Sequence, residues 1–277
     1  MLRNWDTYAE WFQYDPLNFV LSMITTIVVI LISLILHECA HGYMALRCGD
    51  PTAKMLGRLS LNPARHLDPV GTLCMLFFGF GWAKPVPVNP RNFENYRRDD
   101  FLVSIAGVVT NLTLFIGCSL LAVLLNLVMW KWDFVPVLDA FYGGAASAED
   151  LVNIFSSDSN AVATYVAYGV SYDWLEGFTS QPWLLYLQRF LLTMANVNLT
   201  LAIFNLLPIP PLDGFHVLND TLLRGKIQLN SQMYYIAKGL LFILLFSTDF
   251  VDTLLTKGGE VVGGSVIRVF LMLTGQM

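Results

Sequence analysis

Leu31-Ile32-Ser33-Leu34-Ile35-Leu36-His37-Glu38-Cys39-Ala40-His41 sets two histidines and a glutamate at the end of a run that carries no charge from Pro16 to Leu36. That run is long enough to cross a hydrocarbon core of about 30 Å as a helix. Tyr43-Met44-Ala45-Leu46 continues it outward, so one unbroken helix through the histidines is predicted. Residues i and i+4 share a helix face, which points both imidazoles at one metal and leaves Glu38 beside the first ligand, within reach of a water. The bland alternative is a chance five-residue match. Two histidines and a carboxylate near the end of a lipid-embedded helix are costly without partners, and this favours a functional site.

The rest of the chain has the same solvent. Of its 277 residues, 55% are hydrophobic and only 13% are charged, and the mean hydropathy is +0.56, which is not a soluble composition. Two more charge-free stretches, Phe101 to Trp130 and Phe190 to Leu212, are long enough to span. Met233 to Thr248 and Val251 to Leu273 read as weaker helices, interrupted by Lys238, Arg268 and glycines. Pro69 to Ala83 is apolar but short, with Gly71, Gly79 and Gly81, and fits a re-entrant hairpin better than a full span. Lys84-Pro85-Val86-Pro87-Val88-Asn89-Pro90 alternates proline with valine and cannot be helical. It reads either as an extended edge that a substrate strand could join or as a proline-stiffened loop. The expected fold class is an all-α membrane protein, a polytopic transmembrane helix bundle with a re-entrant or extended inner segment.

Charge sets the orientation. Eight of the sixteen Lys and Arg fall between Arg47 and Arg98, whereas residues 132 to 188 hold seven acids and no base. By the positive-inside rule the first region faces the cytoplasm and the second faces out, which places the protein in a cell (inner) membrane with the histidines toward the cytoplasmic side. The parts expected are an outward segment at 1–16, a first core part at 17–131, an outward acidic insert at 132–188, a second core part at 189–224 and C-terminal helices at 225–277. No secretory signal peptide is expected, because Asp6, Glu10 and Asp15 precede the first apolar run. A net charge of −5 argues against a nucleic-acid partner; the lipid bilayer is the partner that composition demands. Cys39, Cys48, Cys74 and Cys118 lie outside the outward segment and are expected to be reduced.

A catalytic zinc takes three protein ligands and keeps a fourth position open, so a third ligand is needed. Asp213 is the first candidate. It ends Asn205-Leu206-Leu207-Pro208-Ile209-Pro210-Pro211-Leu212-Asp213-Gly214, where prolines break the helix at the inner end of an apolar span. His216 is the second, as a ligand or as a cap of the short helix that Asp213 begins. His66 and Asp68 read more simply as solvated loop residues before Pro69. Asn111 and Asn205 are amides within apolar spans. They are candidates for substrate positioning, or equally for bonding helix to helix.

These elements resemble the site-2 protease family of intramembrane zinc metalloproteases. The resemblance rests on His37-Glu38-x-x-His41, Gly57-Arg58-Leu59-Ser60-Leu61-Asn62-Pro63, His66-x-Asp68-Pro69-x-Gly71-Thr72, Gly81-Trp82-Ala83-Lys84-Pro85-Val86-Pro87-Val88 and the segment Asn205 to Gly214, in order over about residues 30 to 215. It implies Zn2+ held by His37, His41 and Asp213, with Glu38 as the catalytic carboxylate and a transmembrane protein as substrate. The family's Gly-x-x-x-Asn element is matched by Gly107-Val108-Val109-Thr110-Asn111, with Val108 where many members carry Pro. Residues 132 to 188 have no counterpart in the family, and no appended PDZ or CBS domain is expected. The competing class is a non-proteolytic metal-binding transporter or scaffold. A transporter strings polar groups along a path through several helices, whereas here they cluster at one depth. A scaffold, moreover, has no use for Glu38.

Overall fold

From Pro16 to Leu36 the side chains are apolar apart from a few hydroxyls and amides, and Ile24 to Ile30 is rich in β-branched residues that disfavour helix in water. In lipid the backbone has no water to bond, and only a helix satisfies it within one segment, so the solvent overrides the propensity. The result, in a computed structural model that describes residues 9, 12–13, 16–69, 71, 83–129, 181, 183–227, 229–247 and 250–275, is one helix, α1, over Pro16–Arg47. Most of the expected outward N-terminal segment, most of the expected re-entrant hairpin with Cys74, and most of the acidic insert lie outside the described residues.

Helix α1 stops on a glycine. Gly49 takes φ +95°, the Asp50 N–H bonds back to the Ala45 carbonyl at 2.9 Å and the Gly49 N–H to Leu46 at 3.4 Å, the paired bonds of a Schellman ending. A short α2 follows at Thr52–Met55, then α3 over Tyr96–Met129, α4 over Trp183–Asn205, α5 over Asp213–Thr221, α6 over Ser231–Ser247 and α7 over Phe250–Leu273. Asn95 and Asp99 close the first turn of α3 reciprocally: the Asp99 carboxylate accepts the Asn95 N–H at 2.8 Å, and the Asn95 side chain accepts the Arg98 N–H at 3.4 Å.

Among the described residues three helical stretches are long and apolar enough to cross a membrane, Phe19–Arg47, Tyr96–Leu125 and Tyr186–Asn205; Gln232–Leu244 is a shorter apolar helix. The fold class is therefore the all-α membrane protein that composition implied. Helix α4 starts at Trp183, seven residues before the charge-free stretch at Phe190, because Arg189 ends a run of neutral residues without ending a helix. Apolar side chains such as Ile24, Val28, Val109, Ile116 and Leu121 lie exposed along these helices, a surface that lipid covers at no cost. No strand occurs among the described residues. The Lys84 to Asn89 segment forms neither helix nor strand, Asn89 has extended backbone angles, and Ala83 just before it makes an antiparallel bridge with Leu67.

The chain divides into two compact units. One comprises Met1–Ile30, Leu114–Val197 and Gly258–Met277; within it the Gln188 amide donates to the Ala122 carbonyl at 3.1 Å. The other comprises Leu31–Thr113 and Asn198–Lys257 and contains every candidate site residue. Its loop structure is organised by Asp50, which is fully buried. Asp50 Oδ1 accepts from the Thr52 N–H, the Thr52 hydroxyl and the Asn92 amide, and Oδ2 accepts from the Asn89 N–H at 2.7 Å. Burial alone would raise its pKa, but these donors, Asn89 foremost, outweigh it and hold the carboxyl below its ordinary value. A depressed folded-state pKa contributes stability above the unfolded value and loses it as pH falls through the folded one. Asp50→Asn is accordingly expected to lower stability at pH 7 by about 1.5–3 kcal/mol, the range for hydrogen bonds to charged groups. The gap from wild type should close on acidification below about pH 3.9, the ordinary aspartate pKa. Thermal unfolding in detergent at pH 7 and pH 3 measures both, and a gap independent of pH would count against the charged hub.

Candidate metal centre

The helix fixes the first half of the site. His37 and His41 lie one turn apart on α1, with ring centroids 4.6 Å apart and Nε2 atoms 3.0 Å apart. The second half comes from a broken helix. After α4 ends, Leu206 to Leu212 turns back through bonds such as Leu212 N–H to Ile209 O at 2.9 Å and contains a cis bond between Pro210 and Pro211. Gly214 makes that return possible, since a Cβ there would sit 2.3 Å from the Leu206 carbonyl oxygen. Asp213, in the first turn of α5, thereby reaches the imidazoles, with Oδ2 3.3 Å from Nε2 of His37 and of His41. One ligand atom from each of the three residues lies within 4.8 Å of the other two.

The chemistry of this donor set calls for a cation. His41 Nδ1 lies 2.7 Å from the Val103 carbonyl, which only accepts, so the neutral ring carries its proton on Nδ1 and leaves the Nε2 lone pair facing inward. Asp213 Oδ2 is buried and has no hydrogen-bond partner. Inward-facing lone pairs beside an unsatisfied carboxylate oxygen repel one another unless a positive ion sits among them. Two imidazole nitrogens and one carboxylate oxygen suit zinc. Helix α3 closes the site from the side: a Cβ on Gly107 would meet His37 Cε1 at 2.5 Å and His41 Nε2 at 2.6 Å. The Gly-x-x-x-Asn element thus lies directly against both rings, and the buried Val108 that replaces proline leaves this contact intact.

Glu38 accepts the Val86 N–H on Oε2 at 2.8 Å. The proline-valine segment is therefore partly engaged. The Lys84 N–H bonds to His66 O at 2.7 Å, the Lys84 carbonyl accepts from Arg58 at 2.8 Å, and the Asn89 N–H is held by Asp50. With Pro85 and Pro87 lacking N–H groups, the segment offers chiefly carbonyls to any further strand.

Of the remaining candidates, Asn111 is fully buried with its side-chain amide 3.1 Å from His37 Nδ1. The Asn205 amide folds back on its own helix, donating to Leu201 O at 3.0 Å. His216 lies outside the three-residue cluster. Its Nδ1 is 3.0 Å from Asp100 Oδ2 and its Nε2 faces the Tyr234 hydroxyl, so it ties α5 to α3 and α6. Burial opposes a charge on His216, but the hydrogen bond and charge of Asp100 outweigh it and raise its pKa. His66 is not solvated: it is buried, and Nε2 is 2.6 Å from Ser60 O. Asp68 accepts the Gly71 N–H at 2.8 Å, a local turn bond. Sequence reading passed over the partners Val103, Val86, Asp100 and Tyr234. The first two act through backbone atoms and leave no mark in the sequence.

Fold and site together define a helical membrane protein with a group of two histidines and one carboxylate that could hold a metal ion. The model of Peptidase family M50 matches residues 25–247, and the chain belongs to this family, the site-2 proteases. It is 34% identical over 263 residues to "Putative zinc metalloprotease YwhC" of Bacillus subtilis, covering 94% of this chain and 95% of that protein. It is 31% identical over 136 residues to "Putative zinc metalloprotease Rip2" of Mycolicibacterium smegmatis, covering 47% of this chain and 49% of that one. To the Mycobacterium tuberculosis protein of the same description it is 28% identical over 214 residues, covering 75% of this chain and 61% of that one. No solved structure matches. The protein is an intramembrane zinc metalloprotease, and the transporter or scaffold reading is not favoured.

Proposed function

We propose that His37, His41 and Asp213 hold the zinc and that Glu38 is the catalytic carboxylate, cutting peptide bonds in or near transmembrane segments of other membrane proteins. The observation that supports this most directly is the buried Asp213 Oδ2 at 3.3 Å from both Nε2 atoms, where one ion could be shared by all three groups. Zinc bound there supplies Lewis acidity toward water and the scissile carbonyl. Glu38 takes a proton from the attacking water and passes it to the leaving amine. The Val86 N–H holds the carboxylate in place until then. Asn111 and Asn205 remain candidates for positioning the unwound substrate backbone. The test is metal content of purified variants. His37→Ala, His41→Ala and Asp213→Ala are each expected to lose stoichiometric zinc, while His216→Ala retains it. Zinc held by Asp213→Ala but lost from His216→Ala would reverse the third-ligand assignment.

The protein is multipass in this reading and lies in the cell membrane with the metal centre toward the cytoplasm, as the charge distribution supports. Its parts divide as an outward segment 1–16, core parts 17–131 and 189–224, an outward insert 132–188 and C-terminal helices 225–277. Cys48 is buried and a poor reporter of sidedness, whereas Met55 is 80% exposed. In intact cells a membrane-impermeant maleimide is expected to miss Met55→Cys and to label Ala146→Cys. The opposite pattern would invert the topology.

A further inference from the structure

We infer that Asn111 is a positioning residue for His37: its side-chain carbonyl accepts the Nδ1 proton and so turns the Nε2 lone pair of His37 onto the metal. The inference rests on the ligand reading above. His41 already has such a partner, since the Val103 carbonyl at 2.7 Å fixes its proton on Nδ1. Among the described residues no backbone carbonyl faces Nδ1 of His37. What faces it is the Asn111 side chain at 3.1 Å, on the same helix α3, one turn beyond the Gly107 that lets that helix approach the rings. The two ends of the amide differ in what they impose. An NH2 group facing Nδ1 needs a lone pair there, which puts the ring proton on Nε2, where the metal would bind. An amide oxygen needs the proton on Nδ1, which frees Nε2. Only the second is compatible with His37 as a ligand through Nε2, the atom 3.3 Å from Asp213. The buried Asn111 Oδ1 has no partner as oriented, and a half-turn of the amide gives it the Nδ1–H without moving any other group. Partners of this kind fix the tautomer and ring orientation of metal-bound histidines, and their loss typically weakens metal binding by about 10–100-fold.

The experiment is zinc affinity, measured by chelator competition on purified full-length protein, for wild type, Asn111→Leu, Asn111→Ala, Asn111→Asp and His37→Ala. Asn111→Leu and Asn111→Ala are expected to bind zinc about 10–100-fold more weakly. Asn111→Asp, which still accepts the Nδ1–H, should bind at least as tightly as wild type. If the leucine variant fails to fold, the alanine variant carries the same reading. The control is Asn198→Leu, another fully buried asparagine, whose amide bonds to the Ser33 hydroxyl at 2.8 Å; it is expected to lower thermal stability without weakening zinc. Wild-type affinity in folded Asn111→Ala, with zinc lost from His37→Ala, would overturn the inference and leave the ligand set standing. A raised KM with unchanged zinc affinity would overturn it in favour of substrate positioning. Wild-type affinity in His37→Ala would overturn the ligand assignment itself, and the inference with it.

Discussion

Glu38→Gln is expected to hold zinc at wild-type stoichiometry while cleavage of a single-span substrate falls by about 10²–10⁴-fold, the usual contribution of a positioned general base. The substitution is close to isosteric. The glutamine carbonyl can still accept the Val86 N–H, so the side chain keeps the tether that the carboxylate has at 2.8 Å. The three atoms proposed to hold the metal belong to other residues. What the amide cannot do is take a proton from water. A residue that only completed the structure would move zinc content and cleavage together, and a fourth ligand would move zinc first. Loss of zinc in Glu38→Gln would therefore refute the base assignment. Full cleavage by the variant would do so as well. Bound metal by mass spectrometry and cleavage by gel shift, on the same preparation, read both quantities.

The helices were legible because lipid imposes one rule that sequence displays openly: long runs without charge must be helical. The boundaries were legible where a specific residue ends the element. Gly49 stops α1 through a left-handed turn, and Pro208 lies just past the end of α4. Trp183 was not legible as a start, because Arg189 broke the charge-free run that served as the criterion while the helix continued through it. Long basic side chains can reach along a helix to the interface, so one arginine says little about where a span begins.

The site was legible in the same uneven way. His37 and His41 announce themselves because helical spacing turns sequence distance into a shared face. Asp213 became a candidate by pairing a carboxylate with a proline-broken helix, and it lies beside the two rings because Gly214 lets α5 lie against the Leu206 carbonyl. The Val86 N–H and the Val103 carbonyl, which hold Glu38 and His41, were out of reach. Every residue has a backbone, and which one lands on a candidate side chain is decided by packing. His66 was misjudged as solvated for a related reason: a loop histidine is polar by type, but here it is buried with its Nε2 bonded to Ser60 O inside the fold.

Gly107→Ala is expected to give a folded protein with zinc binding greatly weakened and cleavage reduced by about 100-fold or more, the scale on which a 1 Å misplacement acts. The helix itself does not object, since alanine is the better helix former by about 1 kcal/mol. The difficulty lies entirely in what the new methyl would touch. It would stand 2.5 Å from His37 Cε1, 2.7 Å from His37 Nδ1 and 2.6 Å from His41 Nε2, closer than carbon packs against any of them. Both rings are side chains on one rigid helix, so they can yield only by rotating away, and rotation takes Nε2 off Asp213. At Gly214 the contrast is instructive. There the methyl would meet the backbone of Leu206 and Leu207 at 2.3 to 2.6 Å, which cannot rotate, so Gly214→Ala should fail to fold rather than merely lose metal. Gly117, on the same helix as Gly107, has nothing within 4 Å of its position, and Gly117→Ala should keep both zinc and activity. If Gly107→Ala bound zinc as tightly as Gly117→Ala, the approach of α3 to the rings would not be what confines them.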